Sequence, residues 1–293
     1  MLKQFHRFYY IFISNYFDSL SRIPFIFSFF SVDYSLMQVY LKQNSLISRN
    51  YVNLQIGSKV SSDLSITLVV IFHDTRRIAF LSEALNSVRS QIIPFTEVIL
   101  VDSSQGGVKL MQMVSTYSDL NLKHVQTDLV HPSAKRNLGV EVSNDDIVCF
   151  LDDDNILLAD YSTHVLRQFL FHPSCELTFS AKINFEGARL VSAPRMKNCS
   201  YKNLLRGNLA DSSTIAIRRS SQNLPRWDVS LFHEDWAFLI DAFDNGVRIY
   251  PIFHRTVLYR IHGGARRNRD FKRITSKEWL AKFRPSFLDP RAC

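Results

Sequence analysis

The run Ile147-Val148-Cys149-Phe150-Leu151 is apolar throughout and stops abruptly at Asp152-Asp153-Asp154. An unbroken apolar run of this length suits a strand covered on both faces, and such strands belong to parallel sheets with helices above and below. Its carboxyl end would then lie where open α/β sheets bind ligands. Three adjacent carboxylates repel one another and require a counter-charge. A hard divalent cation, Mg²⁺ or Mn²⁺, held by carboxylate oxygens and sharing its other positions with a diphosphate, would supply it. The plainer alternative is a solvated acidic turn that caps the following helix.

From Ser65 onward the pattern predicts alternating strands and helices. Ile66 to Phe72 is an apolar, β-branched run, and Ile78, Leu81, Leu85 and Val88 follow at helical spacing. Val98 to Val101 is a second apolar run ending in Asp102; Gly106-Gly107 opens a helix carrying Leu110, Met111 and Val114. Leu122 to Val125 makes a third short strand, and Pro132 suits the first turn of a helix running through Leu138. With the strand into the Asp triplet this predicts a mainly parallel α/β sheet with helices on both faces, its strand order open. Polar residues recur at the strand ends: His73 and Asp74, then Asp102, Ser103 and Ser104, then Asp152 to Asp154. Facing one crevice, they would form a nucleotide site.

Composition sets the class of partner. A formal charge of +8 over 293 residues favours something anionic, whether nucleic acid, a nucleotide or a membrane surface. The cysteines, Cys149, Cys175, Cys199 and Cys293, form no CxxC pair and no zinc spacing, so a reducing cytoplasm is the default and Cys149 is a small core hydrophobe. Phe5, Phe8, Tyr9, Phe12, Ile13, Tyr16, Phe17 and Leu20 predict an amphipathic helix whose aromatic face either packs on the main domain or lies in a membrane interface. Ile23 to Phe30 is far shorter than the roughly 20 residues that span a bilayer.

Over Ser65 to His262 the chain resembles the inverting family 2 glycosyltransferases of the GT-A fold. Ile66 to Gln91 is similar to the family's opening strand and helix ending in Gln. Val101-Asp102-Ser103-Ser104 resembles its Val-Asp-Asp-x-Ser, and Ala134-Lys135-Arg136-Asn137-Leu138-Gly139 its Ala-Arg-Asn-x-Gly. Asp152-Asp153-Asp154 resembles the metal-binding Asp-x-Asp, Glu234-Asp235-Trp236 the Glu-Asp pair at a helix start, and Tyr259-Arg260-Ile261-His262 a Tyr-Arg-x-His stretch. The departures are Ser103 for the family's second Asp, and His73-Asp74-Thr75-Arg76 where Pro-Thr-Tyr-Asn is usual; both touch the nucleotide pocket.

The resemblance implies a GT-A nucleotide-sugar-binding fold, a Rossmann-like, mainly parallel sheet at 65–264; the sequence texture on either side adds a helical extension at 1–64 and a basic tail at 265–293. It implies a metal-dependent sugar transfer from a nucleotide-sugar donor, UDP being the family's usual nucleotide, to a glycan or lipid-linked acceptor. Asp102 would accept a hydrogen bond from the base; Asp74, Arg136, Asp153 and Arg260 would line the cofactor side; Asp152, Asp154 and His262 would ligate Mn²⁺ or Mg²⁺. Asp235 would act as general base at a helix N-terminus that favours its ionised form, with Glu234 orienting the acceptor. The alternatives for Arg136 and for the Glu-Asp pair are a surface ion pair with Glu141 or the Asp cluster, and a simple helix cap.

The tail carries Arg266, Arg267, Arg269, Lys272, Arg273 and Lys277 ahead of Trp279 and Phe283. That texture suits an anionic membrane surface, giving a cytoplasmic enzyme docked peripherally at the inner face of the membrane and engaged in surface polysaccharide or glycolipid assembly, with no nucleic acid as partner. Two other readings remain. A nucleotidyltransferase would want a Gly-rich, Lys-containing loop after the first strand, and Phe72-His73-Asp74-Thr75 has no glycine. A nucleic-acid-binding protein would use the basic tail and have no need of Asp154.

Overall fold

In the computed structural model, residues 64–231 and 233–261 are described. The amphipathic helix expected at Phe5 to Leu20, His262 and the basic tail lie outside them. The four expected strands form as β1 (Ile66–Phe72), β2 (Glu97–Asp102), β3 (Leu122–Gln126) and β4 (Ile147–Asp152), separated by helices α1 (Ile78–Arg89), α2 (Gly107–Ser115) and α3 (Pro132–Val142). Each is paired parallel to its neighbour, β3 to β2, β2 to β1 and β1 to β4. The acidic turn leads into a two-residue strand, β5 (Ile156–Leu157), and α4 (Tyr161–Phe171) starts later with Asp160 at its N-cap. The Asp triplet therefore caps no helix.

Beyond β4 the chain adds strands that the sequence pattern did not indicate: β6 (Leu177–Glu186), β7 (Arg189–Ser192) and β8 (Ile215–Arg218), with a one-turn helix α5 (Tyr201–Leu204) between β7 and β8. Helix α6 (Glu234–Asp244) and β9 (Ile252–Arg260) complete the described fold. The sheet order is β3-β2-β1-β4-β8-β6-β9-β5, with β7 on β6. Strands β8, β5 and β7 run against the other six, so the sheet is mainly parallel in direction but mixed from β4 onward.

The strand period of two divides the core into two layers. Leu68, Val70 and Phe72 with Leu100, Cys149 and Leu151 pack under α1, α2 and α4, whereas Val69, Ile71, Ile99, Val148 and Phe150 face α3 and α6. Helices on both faces are thus present. Cys149 is fully buried, and burial pushes its thiol up to about 12, as befits a core hydrophobe and not a nucleophile.

Gly139 fixes how closely α3 lies on the sheet. A Cβ built there would stand 2.3 Å from Cγ1 and 2.7 Å from Cγ2 of Val69, in the middle of β1. Because Val69 is itself wholly buried, it has nowhere to go. Gly139→Ala is expected to cost about 1–3 kcal/mol through overpacking, measured by urea denaturation; an unchanged midpoint would mean that α3 lifts freely from β1.

Candidate active site

The carboxyl ends of β1, β2 and β4 lie side by side, Phe72 being level with Asp102 and Ile71 with Asp152. The strand-end polar residues are therefore brought to one edge, as the sequence pattern predicted. Two guanidinium groups supply the counter-charge of the Asp triplet. Asp152 Oδ1 accepts from Arg136 Nη2 at 2.7 Å, and Ser212 Oγ donates to Asp152 Oδ2 at 3.2 Å. Asp153 turns inward, its Oδ1 lying 2.8 Å from Arg77 Nη2, and the same guanidinium pairs with Asp154. The triplet is mostly buried and not a solvated turn.

Arg136 joins two distant parts of the chain. Its side chain is 2% exposed, yet it pairs with both Asp152 and Glu234, the latter at 3.2 Å, and donates to Ser212 Oγ at 2.8 Å. Burial opposes its charge, but the two carboxylates more than compensate and hold its pKa above the ordinary value. Trp227 lies 4.9 Å beneath the guanidinium, stacked on Phe238 and met edge-on by Phe150. Asn137 fixes that indole by a reciprocal pair of hydrogen bonds with the Trp227 backbone, both 2.9 Å. Arg136 is thus neither a surface ion pair nor a partner of Glu141, which pairs with Arg226 instead.

The other expected site residues are placed as follows. Asp102 is buried at the end of β2, accepting from Ser104 N–H at 2.7 Å and lying 3.1 Å from His124 Nε2. Asp74 caps the short 3-10 turn Thr75–Arg77 and pairs with Arg76, which holds its carboxyl down at about 2. Arg260 stacks between Phe80 and Phe185, pairs with Glu83, and donates from Nε to the Asp154 carbonyl at 2.9 Å. It positions the triplet's backbone. Glu234 and Asp235 begin α6 directly after His233, whose φ of +62° puts a non-glycine residue in the left-handed region. Asp235 is buried, and its Oδ1 accepts from Trp236 N–H at 2.9 Å.

Several residues here were not singled out from sequence. Arg77 carries the counter-charge for two of the three Asp residues. Lys135, buried under the triplet, donates to the Phe72 carbonyl and to Ser103 Oγ, both at 3.1 Å, and burial lowers its pKa to about 8. Ser213 Oγ accepts from Asp152 N–H and from Asn155 Nδ2, at 3.1 and 2.9 Å. Asp211 before Ser212-Ser213-Thr214 was the available signal, an Asp followed by hydroxyls at the start of an apolar strand.

The carboxylate oxygens of Asp152 and Asp154 suit a hard divalent cation, and beside them Asp153 Oδ2 is buried with no hydrogen-bond partner. Among the described residues no three His, Cys, Asp or Glu side chains already converge as a metal site. The place beside Asp154 is taken by Arg77, which a bound cation would have to displace.

A model of glycosyl transferase family 2 matches residues 67–224. An uncharacterized glycosyltransferase of Haemophilus influenzae is 27% identical over 169 residues, covering 56% of this chain and 66% of that protein. The crystal structure of S. aureus TarS residues 1–349 in complex with UDP-GlcNAc superposes with a TM-score of 0.59 at 20% identity, covering 71% of this chain and 62% of that one. The UDP complex of the same protein gives 0.57, again at 20% identity, over 68% of this chain and 61% of that one. These structures establish the likeness of fold, and the chain spans just under two thirds of each relative.

Two outcomes follow from the buried charges. Arg136→Ala leaves Asp152 and Glu234 without their shared cation and is expected to cost about 3–5 kcal/mol in chemical denaturation; a loss below about 1 kcal/mol would show that Ser212 alone satisfies Asp152. Burial, outweighing Arg77, raises Asp153 from the ordinary carboxyl value to about 8. From about pH 4, where the unfolded residue ionises, up to about 8, the folded chain holds one extra proton, so native stability falls as pH rises. Asp153→Asn is therefore expected to gain on the parent steadily between pH 4.5 and 8 in urea titrations. A pH-independent difference would refute this.

Proposed function

Because the chain belongs to glycosyl transferase family 2, we propose that it transfers a sugar from a nucleotide-sugar donor, UDP-linked, to an acceptor hydroxyl, with inversion at the anomeric carbon. The observation that carries this reading is Arg136 bridging Asp152 at the end of β4 and Glu234 at the start of α6. It holds the carboxylates that would face the donor beside those that would face the acceptor. A TarS structure contains UDP-GlcNAc, which makes that compound the first donor to test.

In this mechanism the nucleotide lies over the ends of β1 and β2, where Asp102 and the His73 loop meet the base side. The acceptor hydroxyl attacks the anomeric carbon from the face opposite the leaving diphosphate. As the new C–O bond forms, Asp235 takes the hydroxyl proton, and the old bond's electron pair leaves with UDP. The α6 N-terminus stabilises the ionised carboxyl, and burial keeps bulk water from it. Glu234, anchored by Arg136, orients the acceptor. Asp152 and Asp154, with His262, would hold Mg²⁺ or Mn²⁺, which when bound supplies positive charge to the departing diphosphate. Arg77, and Lys135 in its protonated form, add positive charge close by.

Surface polysaccharide or glycolipid assembly is the setting we infer, with the aromatic N-terminal segment and basic tail as peripheral membrane contacts. No helix among the described residues is long and apolar enough to cross a membrane. The family match supports neither a nucleotidyltransferase nor a nucleic-acid-binding protein.

Saturating UDP with Mn²⁺ is expected to stabilise the folded protein by about 2.7 kcal/mol at a hundredfold excess over Kd, seen as a rise in Tm that Asp154→Ala abolishes. With UDP-GlcNAc as donor and water as the surrogate acceptor, Asp235→Asn is expected to slow UDP release by about 10²–10⁴-fold while keeping the UDP-driven Tm rise. Indifference to every nucleotide diphosphate tested, with or without metal, would sink the transferase reading.

A further inference from the structure

On the far side of β4 from β1 and β2, a cavity of about 500 Å³ lies between β6, the segment after β7 and the loop leading into Ser212. That volume falls within the range of small-molecule sites. Lys182, Arg195, Lys197 and Arg206 line it, against one carboxylate, Asp211. Asp211 already accepts from Ser213 N–H at 3.3 Å and pairs with Lys182 at 3.4 Å. Four cations against one anion leave a net charge of three positive on the lining.

The pocket is built from both sides. Lys182 is held 3.7 Å over the Tyr259 ring on β9, so its ammonium is aimed by the sheet and does not sweep freely through solvent. Arg195 and Arg206 bring planar forks that suit a tetrahedral oxyanion. The pocket also adjoins the catalytic crevice through one short turn. Asp211 and Thr214 line the cavity, while Ser212 and Ser213, between them, hold Asp152 in the crevice. In the sheet order the donor-facing strands β1 and β2 lie to one side of β4, and β8 and β6 to the other. An anion in this pocket therefore sits on the acceptor side.

We propose that this cavity binds a phosphate group carried by the acceptor, so that the acceptor is a phosphorylated sugar or polyol and not a neutral glycan. The proposal rests on the transferase reading above and adds the acceptor's chemical class. A lining of net positive charge attracts a phosphate in its dianionic form, and the neighbouring turn places the rest of the acceptor towards Asp152, Glu234 and Asp235.

The test uses the full chain at low ionic strength, titrated calorimetrically with glycerol 3-phosphate and, as control, glycerol, each with and without saturating UDP. Glycerol 3-phosphate is expected to bind, glycerol not, and UDP to leave the affinity intact. The double variant Arg195→Glu/Lys197→Glu, at two exposed positions, is expected to weaken glycerol 3-phosphate at least tenfold while the UDP-driven Tm rise persists. Should the double reversal not fold, Lys197→Gln replaces it, with a threefold loss expected. Equal affinity in parent and variant, equal binding of glycerol, or displacement of the probe by UDP would each overturn the proposal, the last by placing the phosphate in the donor site. Absence of a UDP effect in the parent, with glycerol 3-phosphate still bound, would overturn the transferase reading and leave the phosphate pocket standing.

Discussion

The buried guanidinium of Arg136 is the interaction on which the site depends. It sits where the sheet's carboxyl edge, the Ser212 turn and the start of α6 converge, and it is the one cation that Asp152 and Glu234 share. A charge so deep is tolerable only because every neighbour answers it: two carboxylates, a hydroxyl and the face of Trp227. Lysine could not span these partners, for it carries a point charge where a planar fork is needed. The Trp227-Phe238 stack, the edge of Phe150 and the Asn137 clamp then serve one purpose, to keep that fork from turning.

The Asp triplet poses the opposite problem, a concentration of negative charge at the end of a strand that must be buried to fold. The chain divides the charge among three directions. Asp152 goes to Arg136, Asp154 to Arg77, and Asp153 inward to a place where burial favours its protonated form. Arg260 and Asn155 hold the backbone of the turn, so that side chains can exchange partners without the loop moving. Of the two guanidinium groups, Arg77 is carried on a short turn and Arg136 on a helix packed against the sheet.

The first half of the fold was readable because its signals are long and periodic. Three apolar runs, each followed by a polar residue, the helical spacing of Ile78 to Val88 and the proline that opens α3 leave little choice of secondary structure. Of the second half, the helix opening at Glu234 and the strand into Arg260 were readable; the rest was less so, since β5 has two residues and β7 and β8 four each, and strands that short have no measurable period. Their identity comes from the edges they pair with. The site divides similarly. Asp102, Asp152, Asp154 and Arg136 stood out because carboxylates and arginines at strand ends and beside glycine-containing helices are rare in cores. Ser212, Ser213 and Asn155 did not, since a buried serine accepting one backbone N–H looks like any other serine until the partner is known. Lys135 and Arg77 sat next to residues that drew attention and were passed over for the same reason.

The reversal of strand direction after β4 explains why such partners had to come from far along the chain. A parallel sheet continued beyond β4 would present only strand ends to the crevice. Running β8 antiparallel brings its preceding turn, Asp211 to Thr214, up to the carboxyl end of β4, 60 residues later in sequence. That turn is two-sided. Ser212 and Ser213 face the triplet, and Asp211 and Thr214 face the basic cavity. Asp211, which pairs with Lys182, is joined to Asp152 by two hydrogen bonds through Ser213. One short turn is thus a common wall of the crevice and the cavity, which is why its residues divide between the two.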